Sequence, residues 1–126
     1  MDVILTIGTG SGCGKSLVST ALCRLLRRQG HTVAPFQAEA ATSVTYMAES
    51  GSVVAYSQAI QSWSAGIVPS HRFNPVLRAR RKGESSIFIN GRRQDDLKIN
   101  TSAGIAQFQG AAWQAIEQAL AVLRPK

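Results

Sequence analysis

Gly8-Thr9-Gly10-Ser11-Gly12-Cys13-Gly14-Lys15-Ser16 is the stretch whose reading decides the fold. Ahead of it, Val3 to Ile7 is a short apolar run with β-branched residues that predicts a strand buried on both faces. Behind it, Leu17, Ala21, Leu22, Leu25 and Leu26 recur at helical spacing, Arg24, Arg27 and Arg28 take the outer face and last turn, and Gly30 suits the position after the helix. A Gly-rich turn between strand and helix leaves backbone N–H groups free to surround phosphate oxygens, and the helix dipole adds partial positive charge there. The stretch therefore predicts a phosphate-binding loop. Gly10, Gly12 and Gly14 are expected to take positive φ and to let phosphate approach without a Cβ. Thr9, Gly10, Ser11, Gly12, Cys13, Gly14, Lys15 and Ser16 form the expected nucleotide site: Lys15 meets the β- and γ-phosphates of ATP, and the Ser16 hydroxyl ligates Mg2+. The strict G-x-x-x-x-G-K-[ST] pattern is missed at one residue, because Thr9 stands where its first glycine belongs and Gly8 lies one position earlier.

Thr32 to Phe36 predicts a second strand, parallel to the first because a helix intervenes. Gln37 to Ser50 is polar and without period, which predicts a loop with a turn of helix at most. Ser52 to Ala65 predicts a helix capped by Ser52 and ended by Gly66. Val76-Leu77 and Ser86 to Asn90 suggest two strands joined by the basic loop Arg78 to Gly83, with Asn90-Gly91 as a turn. Ser102 to Leu123 carries an apolar stripe through Ile105, Phe108, Ala112, Ile116, Ala119, Leu120 and Leu123, a final helix ending at Pro125.

The 126 residues make one expected domain, 1–126, with 44% hydrophobic and 17% charged residues, an ordinary balance for a soluble chain. No apolar run has the roughly 18 residues of a membrane span, and Met1 to Leu5 runs into the loop without a basic leader, so the expected location is the cytoplasm, with no membrane partner. Cys13 and Cys23 form neither a disulfide framework nor a metal-ligand spacing. A formal charge of +7 favours anionic partners. Arg78, Arg80, Arg81, Lys82, Arg92 and Arg93 offer a nucleic-acid surface, but no aromatic residues interleave as a stacking platform, so a solvated hairpin is the preferred reading. Trp63 and Trp113 fall on helical apolar stripes and are assigned to core packing. His31 and His71 stand alone beside turns, and Asp95 and Asp96 read as a solvated loop. Glu39, just beyond the second strand, is the best placed carboxylate for a ligand site.

The loop, followed by Leu22-Cys23-Arg24 and Gly30-His31-Thr32-Val33-Ala34-Pro35-Phe36, resembles the start of the cobyric acid synthases. The likeness continues through Ser57-Gln58-Ala59-Ile60-Gln61, Ala65-Gly66-Ile67, Asn74-Pro75 and Ser86-Ile87-Phe88-Ile89-Asn90-Gly91, to about Arg93. The loop is also similar to that of dethiobiotin synthetase, and it has Gly10 where ParA- and MinD-type ATPases carry an extra lysine. The resemblance implies an α/β, three-layer P-loop NTPase fold with a mainly parallel sheet, here incomplete. In that family the N-terminal domain uses ATP to activate corrinoid side-chain carboxylates, and a C-terminal glutaminase domain supplies ammonia for the amide. The resemblance thus implies a corrinoid or a separate glutaminase chain as partners, and an ATP-dependent amide ligase if the chain is active.

The chain departs from the family where charge is needed. Gln37 replaces the lysine of a Phe-Lys-Ala-Gln-Asn-Met run, Val53 stands where a carboxylate precedes Arg-Ala-Gln, and Arg78-Ala79-Arg80 replaces Leu-Lys-Pro. Phosphoryl transfer depends on such positioned charge. The expectation is a degenerate relative that binds nucleotide with little turnover, its catalytic residues unassigned. The strand that follows the last helix in related proteins pairs beside the first strand; without it, Val3 to Ile7 predicts self-association or a partner that completes the sheet.

Overall fold

The computed structural model describes residues 2–97 and 99–124. Helix α1, Lys15–Arg28, follows the loop directly. Strands β1, Glu39–Thr42, β2, Thr45–Met47, and β3, Val53–Ala55, come next, then α2, Tyr56–Ala65, and a 3-10 turn at His71–Phe73. Strands β4, Val76–Arg81, β5, Glu84–Ile89, and β6, Arg92–Arg93, lead to α3, Ser102–Leu123. The fold is α/β, around a four-stranded sheet in the order β1-β4-β5-β6, beside a two-stranded β2-β3 hairpin. β1 and β4 are the parallel pair, and β5 and β6 extend them antiparallel.

The basic hairpin forms, with longer strands than its apolar residues alone suggest. Arg78 to Arg81 belong to β4, so the connection shrinks to Lys82 and Gly83, both at positive φ. Asn90 and Gly91 repeat that conformation between β5 and β6, as the dipeptide predicts. In the register Leu77 faces Phe88 and Val76 faces Ile89, so successive side chains take opposite faces. Leu77, with Ala40 and Ala55, makes a buried cluster on which Val53, Ala79 and Phe88 pack. α3 packs against β4, β5 and the 3-10 turn, and α1 lies along α2.

Between these elements runs a buried amide network. Asn74 Oδ1 accepts from the Ala55 N–H at 3.1 Å, while its Nδ2 donates to the carbonyls of Gln37 at 3.2 Å and Val76 at 3.0 Å. One side chain thereby adds β3 to the segment before β1 and the start of β4, which backbone hydrogen bonds from Val76 to Ala38 and from Gln37 to Phe73 already join.

Several expectations are corrected. Val3 to Ile7 forms no strand and is not buried: Val3, Ile4, Leu5 and Ile7 are all exposed, because among the described residues no strand lies beside them to complete a ladder. Thr32 to Phe36 is likewise not a strand. The polar stretch after it holds β1 and β2 instead of a loop. α2 begins at Tyr56 with Ala55 as its cap, since Val53 to Ala55 is drawn into β3; Ser52 caps nothing. Gly66 does end α2, at φ 76°. α3 runs to Leu123, and Pro125 lies outside the described residues. It packs through small residues, Ala112, Ala115 and Ala119, which leaves Trp113 64% exposed and outside the core. Trp63 is half out of the core as well, edge-on to Tyr46 and Tyr56. No helix among the described residues is long and apolar enough to cross a membrane.

Candidate functional site: the glycine loop

The loop opens α1. Gly14 caps the helix in the left-handed region at φ 91°, and Gly12 sits at φ 72°. A side chain at either position would be strained there. Gly10 is not at positive φ, which corrects the expectation for that residue. A Cβ at Gly10, Gly12 or Gly14 would meet no atom within 4 Å, so the loop's outer surface is open. α1 has no side-chain cap and no acidic residue in its first turn, leaving its first N–H groups unmatched by side chains of its own terminus. An anion at that position would be favoured by both the N–H groups and the helix dipole.

Gly8 explains the offset in the motif. A Cβ there would lie 2.3 Å from Cys13 Sγ and 2.8 Å from the Lys15 stem. The chain closes on itself at Gly8, so the glycine that the turn needs is Gly8, and Thr9 is free to carry a side chain.

Lys15 folds back over the loop. Its Nζ donates to the Gly10 carbonyl at 2.8 Å and approaches Cys13 Sγ at 3.4 Å. The exposed Cys13 thiol is held below its ordinary pKa: hydrogen bonding from the Gly10 backbone is the largest cause, desolvation opposes it, and the Lys15 ammonium adds a further lowering. Cys23, buried in α1, is pushed up by burial. Ser19 Oγ donates to Thr6 Oγ1 at 3.2 Å and holds the leading segment against the helix.

Loop glycines, Lys15, Ser16 and Cys13 thus fall together at one helix terminus. Gly12 and Gly14 leave the loop backbone open at this terminus, with room for an anionic group to approach it. Glu39 is not free for a ligand: its carboxylate pairs with Arg78 at 2.5 Å. Asp95 pairs with Arg93 at 2.8 Å. Arg78 and Arg93 are therefore already matched, which thins the basic surface of the hairpin.

The positions that depart from the family have other duties. Gln37 Oε1 accepts from the buried Gln58 Nε2 at 3.3 Å, and that same Nε2 reaches Gln61 Oε1 at 3.1 Å. Val53 and Ala79 pack on the Ala40, Ala55 and Leu77 cluster. The structural weight of Asn74 is not legible in the sequence, where Asn74-Pro75 looks like any turn and stands out only as one segment of the family resemblance.

An α/β fold with a glycine loop opening a helix defines the class of P-loop nucleotide-binding domains. The chain belongs to CbiA, the CobQ/CobB/MinD/ParA nucleotide binding domain family, whose match covers residues 4–123. It is 38% identical over 122 residues to cobyric acid synthase of Trichormus variabilis, covering 95% of this chain and 24% of that protein. The corresponding protein of Prochlorococcus marinus strain NATL1A is 39% identical over 124 residues, with 94% and 24% covered. The chain spans about a quarter of the length of these relatives. No solved structure matches it.

Proposed function

We propose that the chain binds ATP with Mg2+ at Thr9 to Ser16 and turns it over little or not at all. The observation that carries the binding is the open, uncapped glycine backbone of Gly12 and Gly14 at the start of α1, followed at once by Lys15 and Ser16. The loop N–H groups would surround the phosphates, Lys15 would leave Gly10 to meet the β- and γ-phosphates, and Ser16 would hold Mg2+. Bound Mg2+ neutralises charge on the phosphates; the chain's own residues position them.

Weak turnover is supported by what stands at Gln37, Val53 and Ala79. Gln37 is engaged by Gln58, and the other two positions are apolar and packed on the core cluster. Losing one preorganised electrostatic group costs on the order of a hundredfold to a thousandfold in rate, and several losses leave little activity even without strict additivity.

A second reading is favoured by the 38% identity to cobyric acid synthase: an amide ligase of corrinoid carboxylates that takes ammonia from a separate glutaminase. Calorimetric titration with ATP, with and without Mg2+, decides the binding, and an assay for corrinoid amidation decides the turnover. Saturable, Mg2+-dependent binding without product is expected. An amide that accumulates with ADP, and vanishes in Lys15→Ala, establishes the ligase reading instead.

A further inference from the structure

At the other end of α1 from the loop lies a second cleft. The Arg27 guanidinium rests against Gly66, which lines the cleft. Arg27 is 12 positions beyond Lys15, or about 18 Å along the helix at 1.5 Å per residue. The cleft is a shallow, open depression of about 290 Å³ between the β2-β3 hairpin and the end of α2. Its walls are aromatic and aliphatic: Tyr46, Trp63, Ile67, Val68 and Pro69, with Glu49 as the charged residue.

Tyr46 and Trp63 are held edge to face, their ring centroids 5.1 Å apart and their planes at 82°. Tyr56 braces Trp63 from a second direction at 6.2 Å. Trp63 is nonetheless 44% exposed, Val68 64% and Met47 of the adjoining strand 69%. This rigid indole is fixed by its neighbours yet left uncovered, unlike the tryptophan of a core. Glu49 makes no ion pair among the described residues, whereas Glu39 and Asp95 do. In a chain of formal charge +7, that leaves an unmatched carboxylate beside an aromatic wall, with the Arg27 guanidinium against Gly66 as the neighbouring positive charge.

We propose that this cleft binds a small organic ammonium ion. In the edge-to-face pair one ring face is taken up by the other ring's edge, and a face left open carries the negative side of the ring quadrupole and attracts a cation, best of all on tryptophan. Glu49 supplies the countercharge, and the aliphatic residues accept the carbon substituents of the ion. A volume near the lower bound of small-molecule pockets suits a compact ion and not a folded partner. The site is independent of the nucleotide loop.

The test uses tetramethylammonium chloride as probe, with sodium chloride at matched ionic strength and tert-butanol as a neutral analogue of similar shape. Binding is read from Trp63 fluorescence in a Trp113→Phe background and from saturation-transfer NMR of the probe's methyl groups. Saturable binding of tetramethylammonium is expected, with tert-butanol about tenfold weaker or more. Glu49→Gln, an exposed substitution, should weaken the ion by about tenfold and leave tert-butanol unchanged. Equal binding of ion and alcohol, no saturable binding, or an unchanged Glu49→Gln variant overturns the proposal. So does binding confined to lysine-containing peptides, which would make the cleft a protein-docking surface.

Discussion

The Lys15 ammonium donates to the Gly10 carbonyl across the mouth of its own loop, at 2.8 Å. A lysine held there adds its charge to the positive end of the α1 dipole and must exchange that acceptor, which is exposed, for phosphate oxygens. ATP with Mg2+ should therefore raise the melting temperature, by about 2.7 kcal/mol of stability at a hundredfold excess over Kd. In a chain of this size that is a rise on the order of 10 °C. Lys15→Ala should remove most of it in differential scanning fluorimetry; an equal rise in the variant would refute the loop assignment.

Cys13 and Cys23 differ in exposure and in acidity. The exposed Cys13 thiol is lowered by the Gly10 backbone and Lys15, and the buried Cys23 thiol is raised. Iodoacetamide at neutral pH should modify Cys13 first, and saturating ATP with Mg2+ should slow that reaction. Peptide mass mapping that finds Cys13 alkylation unchanged by nucleotide would remove it from the site.

His71 gives stability a dependence on pH. Burial, then the charges of Arg72 and Arg92, lower its pKa from 6.5, and its Nδ1 is buried without a hydrogen-bond partner. The unfolded chain takes up the proton first as pH falls, so the contribution of His71 is complete above about 6.5 and is lost below it, down through the lowered folded value. Urea midpoints measured from pH 8 to pH 5 should fall in the parent, and His71→Asn should remove part of that fall. Parallel curves for the two proteins would show that His71 is not the titrating group.

Val3, Ile4, Leu5 and Ile7 are exposed, and so are Leu17 and Leu25 of the neighbouring helix. Apolar surface of that extent marks a place of association. The expected outcome is concentration-dependent self-association in light scattering, relieved by Leu5→Lys with Ile7→Lys. A monodisperse monomer of the parent at high micromolar concentration would count against it.

The sequence is most legible where local chemistry is sufficient. The loop and α1, the left-handed stop at Gly66, the Asn90-Gly91 turn and the long final helix are each set by a few adjacent residues. The strand β1 was not legible, because Glu39, Ala40 and Ala41 have little preference for a strand and take one from pairing with β4, and β2 and β3 hold only three residues each. The reverse failure is Val3 to Ile7, whose apolar pattern asks for a strand but which no strand among the described residues pairs with. In the site, the residue types were readable, whereas the Lys15 acceptor, the close approach at Gly8 and the Glu39 ion pair depend on distances that spacing does not contain.

The parallel pairing of β1 with β4 also sets an order of events during synthesis. Ala40 meets Leu77, 37 positions further on, while β4 and β5 close over two residues. The hairpin can form within microseconds of its own completion, but β1 must wait for β4 to leave the ribosome. At roughly 5–20 residues per second, that wait lasts a few seconds. For that interval Ala40 and the start of the core have no sheet to join, so a nascent chain stalled before Val76 would leave them without their partner strand.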